Sequence, residues 1–136
     1  MPSSRIVGTG SYVPPKTLTN ADLEKMVDTN DEWIVTRTGI SERHVASDDE
    51  ATSDLAYEAA LQALSTANLD PMDLDMILVS TITPDMAFPS TACFLQDRLG
   101  ARRAGAMDLS AACSGFVYGL AVADGLLRLG TLKTVP

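Results

Sequence analysis

Cysteine is scarce in this chain. Cys93 and Cys113 are the only two, and two cysteines do not make a disulfide framework, so a reducing, cytoplasmic setting is the expectation. There is one histidine, His44, and no cluster of Cys, His and carboxylates has the spacing of a metal site. Neither a metal nor any other cofactor is therefore expected. Positive charge is in deficit, with 10 Lys and Arg against 18 Asp and Glu, a net charge of −8 and a pI near 4.4. That balance argues against nucleic acid or an anionic membrane as a general partner. No apolar run approaches the ~20 residues of a membrane span. The residues after Met1 lead into a short strand-like stretch rather than an apolar signal segment. Internal repeats and low-complexity segments are missing as well.

What is present reads as one α/β domain, since 136 residues suffice for a real core. Arg5 to Val13 has strand character and stops at Pro14-Pro15. Thr19 is placed to cap a helix reaching about Val27. Thr52 is expected to cap a helix through Ala67, whose Ala56, Ala59, Ala60, Ala63 and Ala67 form a stripe suited to close packing on a sheet. Met76 to Thr81 is short and almost wholly apolar, as in a parallel strand buried on both faces. A helix from about Ser90 to Gly100, a strand from Ala104 to Leu109 and an apolar helix from Phe116 to Leu129 follow. Leu132 to Pro136 looks like the start of another strand. The last helix is apolar nearly all round, which predicts burial in a larger body. The alternation of strands and helices points to a mostly parallel sheet.

Two places carry chemistry. Cys113 falls at a strand-to-helix turn among small residues, Ser110, Ala111, Ala112 and Gly115. Unpaired N–H groups and the positive end of a helix dipole favour an anionic sulfur there. The competing reading is a small core residue, because free cysteine is commonly buried. Trp33 and Arg37 are four apart and share a helical face, an aromatic plane beside a guanidinium. Such a pair suits an adenine ring and a phosphate; a surface packing pair is the commoner reading of the same spacing. A cysteine hydrolase or peroxidase pairing Cys113 with His44 stays open but poorly supported. Cys93, inside a helix, reads as a core thiol.

The run Asp108-Leu109-Ser110-Ala111-Ala112-Cys113-Ser114-Gly115-Phe116 resembles the nucleophile turn of the β-ketoacyl-acyl-carrier-protein synthase III family, in the thiolase superfamily. Thr19 to Met26, the segment Asp31 to His44 and Phe88-Pro89-Ser90 resemble further family motifs, in the family's order, so that the match runs from about Arg5 to Val135. The resemblance implies the N-terminal half of a layered αβαβα thiolase-like fold, present here as one incomplete domain over residues 1–136. It implies that Cys113 is the nucleophile of an acyl transfer. It implies that Trp33 and Arg37 bracket the adenine of coenzyme A with Thr29 nearby. Phe88 is implied to close the acyl pocket of the other subunit of a homodimer, and Ile82 is expected to help shape the pocket. The substrates implied are an acyl-CoA and malonyl-acyl carrier protein; the chain's negative charge is the wrong sign for docking an acidic carrier, so any such patch must be local or lie outside this chain. The family's catalytic histidine and asparagine belong to its second half and have no match here, so the chain by itself is expected to be inactive in condensation. The alternative is a non-catalytic interaction module that keeps the half fold.

Overall fold

A computed structural model describes residues 4–136. They divide into two compact units, one of residues 13–50 and one of residues 4–12 with 51–136.

In the first unit β1 (Thr17–Thr19) pairs antiparallel with β2 (Glu42–His44), Leu18 opposite Arg43. Between them lie α1 (Asn20–Leu23) and α2 (Asp31–Thr38). Thr19 caps α1 as its position predicts. Its hydroxyl accepts from the Asp22 N–H at 3.2 Å and donates to the Asp22 carboxylate at 2.7 Å. α2 is capped by Asn30, whose side chain accepts from the Trp33 N–H at 2.8 Å, and ends at Gly39 with a φ of 71°. The centre of the unit is Asn20, which is buried. Its amide donates to Asp31 at 2.7 Å and to the Ile40 carbonyl at 2.9 Å, and its oxygen accepts from Arg43. A buried amide of this kind is tolerated because its donors and acceptor are all met.

The Thr19 hydroxyl, with help from Lys25, holds the Asp22 carboxyl down at about 2, against an ordinary 3.8. A folded value below the unfolded one stabilises the unit above the unfolded value, and that support is lost as pH falls from about 4 toward 2. A carboxyl titration of Asp22 by NMR is expected to show its midpoint near 2. A midpoint at the ordinary value would contradict the cap.

The second unit is built on β3 (Met76–Ser80) and β4 (Gly105–Leu109), parallel neighbours with Ile77 opposite Ala106 and Val79 opposite Asp108. α3 (Thr52–Ala67) and α4 (Thr91–Leu99) pack on one another, and α5 (Gly115–Arg128) packs on β3 and β4. Leu64, Leu74, Ile77, Val79, Ala92, Leu95, Ala101 and Ala104 form the buried core. Residues alternate across a strand. Ile77 and Val79 accordingly enter this core, whereas Met76 and Leu78 are only half-buried. The strand expected to be covered on both faces is fully covered on one. α4 stops at Gly100, with a φ of 73°, a conformation glycine takes without strain.

Further expectations need correction. α1 ends at Leu23 rather than near Val27, and Thr52 is the first residue of α3, whose cap position is Ala51. Residues 5–13 form no strand. They cross α3 so closely that a Cβ at Gly8 would collide with the Ala63 carbonyl, and one at Gly10 with the Ala59 carbonyl. Ala59, Ala63 and Ala67 thus accept a crossing main chain, while Ala56 and Ala60 pack on the core that includes Ile77 and Val79. Gly10→Ala is expected to cost about 1–3 kcal/mol, the usual penalty for overpacking, read as a lowered urea midpoint; an unchanged midpoint would show that the crossing is loose. Residues 132–136 likewise form no strand, although the Thr134 and Pro136 carbonyls accept from the N–H groups of Asp75 (3.0 Å) and Leu78 (3.4 Å). The Lys133 and Thr134 amides donate in turn to the Asp75 carboxylate and hold it below the usual carboxylate range. The larger body expected to bury α5 is not found among the described residues, which leave Phe116, Val117 and Tyr118 more than half exposed.

Candidate active site

β4 ends at Leu109, and after Ser110 and Ala111 a single 3-10 turn, Ala112–Ser114, runs directly into α5. Cys113 sits in that turn and is exposed. The strand-to-helix placement read from the sequence holds; the buried-core alternative does not. Cys93 is half-buried within α4, with its sulfur 3.2 Å from the Ser90 hydroxyl. Ala112 has a φ of +45°, in the left-handed region. A non-glycine residue there costs on the order of 1–3 kcal/mol and persists only where its surroundings hold it.

The surroundings are visible. The Ser80 hydroxyl, at the end of β3, donates to the Gly115 carbonyl at 2.9 Å. A Cβ on Gly115 would meet the Ser80 Cβ at 3.0 Å, and one on Gly119 would meet its hydroxyl at 3.2 Å. Two glycines a helical turn apart therefore let α5 seat on β3, with its first turn beside the sulfur. The Ser114 and Gly115 N–H groups are bonded within the turn, to the Ala111 and Ala112 carbonyls.

Ile82 and Phe88 lie on the loop 81–90 between β3 and α4, and both are exposed, Phe88 at 87%. They share the second unit with Cys113. An apolar cleft of about 620 Å³ in the same unit is lined by Ile6, Ala63, Leu78, Leu120 and Leu127 among others; Cys113 does not line it.

Trp33, Arg37 and Thr29 belong to the first unit. The Arg37 guanidinium lies over the Trp33 indole, 4.7 Å from the ring centroid, and the indole is 53% exposed. Thr29 is half-buried, one residue before the cap of α2. The ring of His44 is engaged inside its own unit: Nδ1 is 2.6 Å from the Pro14 carbonyl and Nε2 is 4.0 Å from Glu42. Among the described residues, no group of three or more His, Cys, Asp or Glu is arranged to hold a metal, and no helix is long and apolar enough to cross a membrane. Sequence reasoning did not find the left-handed Ala112 or the Ser80 clamp. The Gly115–Gly119 spacing was the available signal for the clamp; nothing in the type of residue 112 announces its φ.

A family model for 3-oxoacyl-[acyl-carrier-protein (ACP)] synthase III matches residues 107–135, the end of β4, the cysteine turn and α5. A β-ketoacyl-[acyl-carrier-protein] synthase III of Xanthomonas oryzae pv. oryzae is 61% identical over 132 residues, 97% of this chain and 41% of that protein. One from Caldanaerobacter subterraneus subsp. tengcongensis is 62% identical over 130 residues, 96% of this chain and 39% of that protein. Among solved structures, 3-oxoacyl-[acyl-carrier-protein] synthase III from Aquifex aeolicus superposes with a TM-score of 0.92 at 53% identity, over 96% of this chain and 42% of that one. The chain spans about two fifths of the length of the curated relatives it matches. On its sequence, its thiolase-like fold and its cysteine turn, the chain belongs to the β-ketoacyl-acyl-carrier-protein synthase III family.

Proposed function

We propose that the chain carries the nucleophile half of a synthase that starts fatty-acid or related polyketide synthesis. The Cys113 sulfur attacks the carbonyl of an acyl-CoA thioester. The acyl group moves to sulfur, coenzyme A leaves as its thiol with the proton that Cys113 gave up, and a covalent acyl-enzyme remains. The observation that carries this reading is an exposed cysteine in a turn that runs straight into α5, whose first residue, Gly115, is fastened by the Ser80 hydroxyl. In the whole enzyme malonyl-acyl carrier protein then loses CO₂, and its carbanion attacks the acyl-cysteine to give a 3-ketoacyl-carrier protein. That second step uses a histidine and an asparagine with no counterpart here, so the chain alone is acylated without turning over.

Trp33 and Arg37 are the residues for coenzyme A, with Thr29 beside them. Because the guanidinium already covers one face of the indole, adenine stacks on the other face or displaces the arginine toward a phosphate. Phe88, standing out at the tip of its loop, is placed to reach a second copy in a cytoplasmic homodimer, and Ile82 to shape the acyl pocket. The exposed apolar side of α5 is the surface that the rest of a whole synthase covers.

A second reading has one observation in its favour: the exposure of Phe88, Phe116 and Val117 suits a non-catalytic interaction module. Intact mass after incubation with acetyl-CoA separates the two. One acetyl adduct supports the nucleophile; none on a chain shown to be folded by circular dichroism supports the module. Any 3-ketoacyl product from this chain alone would overturn the division of labour between the halves.

A further inference from the structure

Both ends of the loop 81–90 are fastened to consecutive residues of β4. At its start the Thr81 N–H donates to the Leu109 carbonyl at 3.2 Å. At its far end the Thr91 and Ala92 N–H groups donate to the two oxygens of Asp108, each at 2.8 Å. Those amides open α4, and helix-opening amides have no acceptor within their own helix. Ser90 stands at the cap position, yet its side chain makes no capping bond. The cap of α4 is therefore supplied by a strand 16 residues further along the chain from Ala92. The loop is tied once more inside. The buried Thr91 hydroxyl accepts from the Asp85 N–H at 3.1 Å, and the Asp85 carboxylate accepts from the Ser53 N–H, at the start of α3, at 2.9 Å. Asp108 is five residues before Cys113 on an unbroken run of β4 and turn.

We propose that Asp108 is a positioning residue for acyl transfer: by pinning α4 to the end of β4, it fixes the loop bearing Ile82 relative to the strand bearing Cys113, and so sets which acyl chain lengths the sulfur receives. The proposal rests on the acyl-transfer reading above for its substrate. Its physical content is the pin.

The test compares the rates at which N-ethylmaleimide and N-octylmaleimide alkylate Cys113, resolved by peptide mass, in the wild-type chain, in Asp108→Asn and in Thr91→Val. Asparagine replaces one acceptor oxygen by an NH₂ group that faces an amide donor, so α4 loses half of its cap. Removing the charge alters attack of the same sulfur on both neutral reagents alike, so it cancels in the octyl-to-ethyl ratio; a general loss of stability cancels too. The expected result is a shift of threefold or more in that ratio for Asp108→Asn, and a smaller shift in the same direction for Thr91→Val, which keeps the Asp108 bonds and cuts only the tie to Asp85. A folded Asp108→Asn chain with the wild-type ratio overturns the proposal. If Asp108→Asn does not fold, Thr91→Pro decides it: proline is tolerated at the first helical position and has no N–H to give to Asp108, and an unchanged ratio there overturns the proposal. Maleimides need no coenzyme A site. A chain that shows the shift but takes no acetyl group keeps the pin and loses the acyl-transfer reading; one that takes the acetyl group without the shift does the reverse.

Discussion

Incubated with acetyl-CoA, the wild-type chain is expected to gain one acetyl group, and Cys113→Ala is expected to gain none. The whole signal depends on one atom, so the effect is all or nothing. Cys93→Ala is expected to leave the adduct in place. The two thiols differ in what surrounds them. Both lie near a helix start, but Cys113 is exposed, whereas Cys93, in the first turn of α4, is half-buried with its sulfur against Ser90. Reactive cysteines combine access with an electropositive surrounding, and structural ones are inert. Alkylation by a small reagent is expected to be on the order of tenfold or more faster at Cys113 than at Cys93 on this ground. Equal and sluggish labelling of both would sink the nucleophile assignment. His44→Ala is a useful companion, because its ring is occupied by Pro14 and Glu42 within its own unit; it should leave the Cys113 rate where it was.

The second large effect concerns stability. Ile77→Ala is expected to remove about 2–5 kcal/mol, the range for deleting a fully buried aliphatic side chain and leaving a cavity. Ile77 is 1% exposed and packs in the core cluster with Leu74, Leu95 and Ala92. A domain commonly has only 5–15 kcal/mol in total, so such a loss takes a large share of it. The contrast is Phe116→Ala. Phenylalanine is the larger side chain, but Phe116 is 70% exposed, and surface substitutions usually fall within about 0.5 kcal/mol. Urea midpoints of the two variants should therefore separate widely. Similar midpoints would mean that α5 carries core packing in solution and that its apolar face is covered, for instance by a second copy of the chain.

Much of this was legible in the residues because the signals were local. The short apolar run at 76–81 and the small, apolar run ending at Leu109 gave the two parallel strands, and Gly100 marked the end of α4. Small residues around Cys113 announced a tight strand-to-helix turn. What stayed hidden depended on partners distant in sequence. Arg5 to Val13 has a strand's composition, but a strand needs a neighbour for its ladder, and here the segment meets the backbone of α3 instead. The part Asp108 plays as the cap of α4 is one such case, since its partners are the amides of Thr91 and Ala92 rather than anything adjacent. The Trp33–Arg37 spacing told that the two side chains would meet, but the same spacing serves a ligand site and a self-stacked pair, and in the free chain they stack on each other. The all-round apolar character of α5 suggested burial, and composition cannot say whether the covering surface lies within the same chain.

The crossing of residues 4–12 over α3 also bears on how the chain is made. Gly10 and Ala59, which meet there, are 49 positions apart, while β1 and β2 close over only 27, from Thr17 to His44. A ribosome adds roughly 5–20 residues per second, so the first segment waits on the order of seconds before its helical partner exists. Closing the wider loop costs only about 0.5 kcal/mol more in chain entropy, since the penalty grows with the logarithm of length. The delay is thus one of supply rather than of energy. All residues of the 13–50 unit are in hand once residue 50 is added, whereas the other unit begins earlier in the chain and is completed only later.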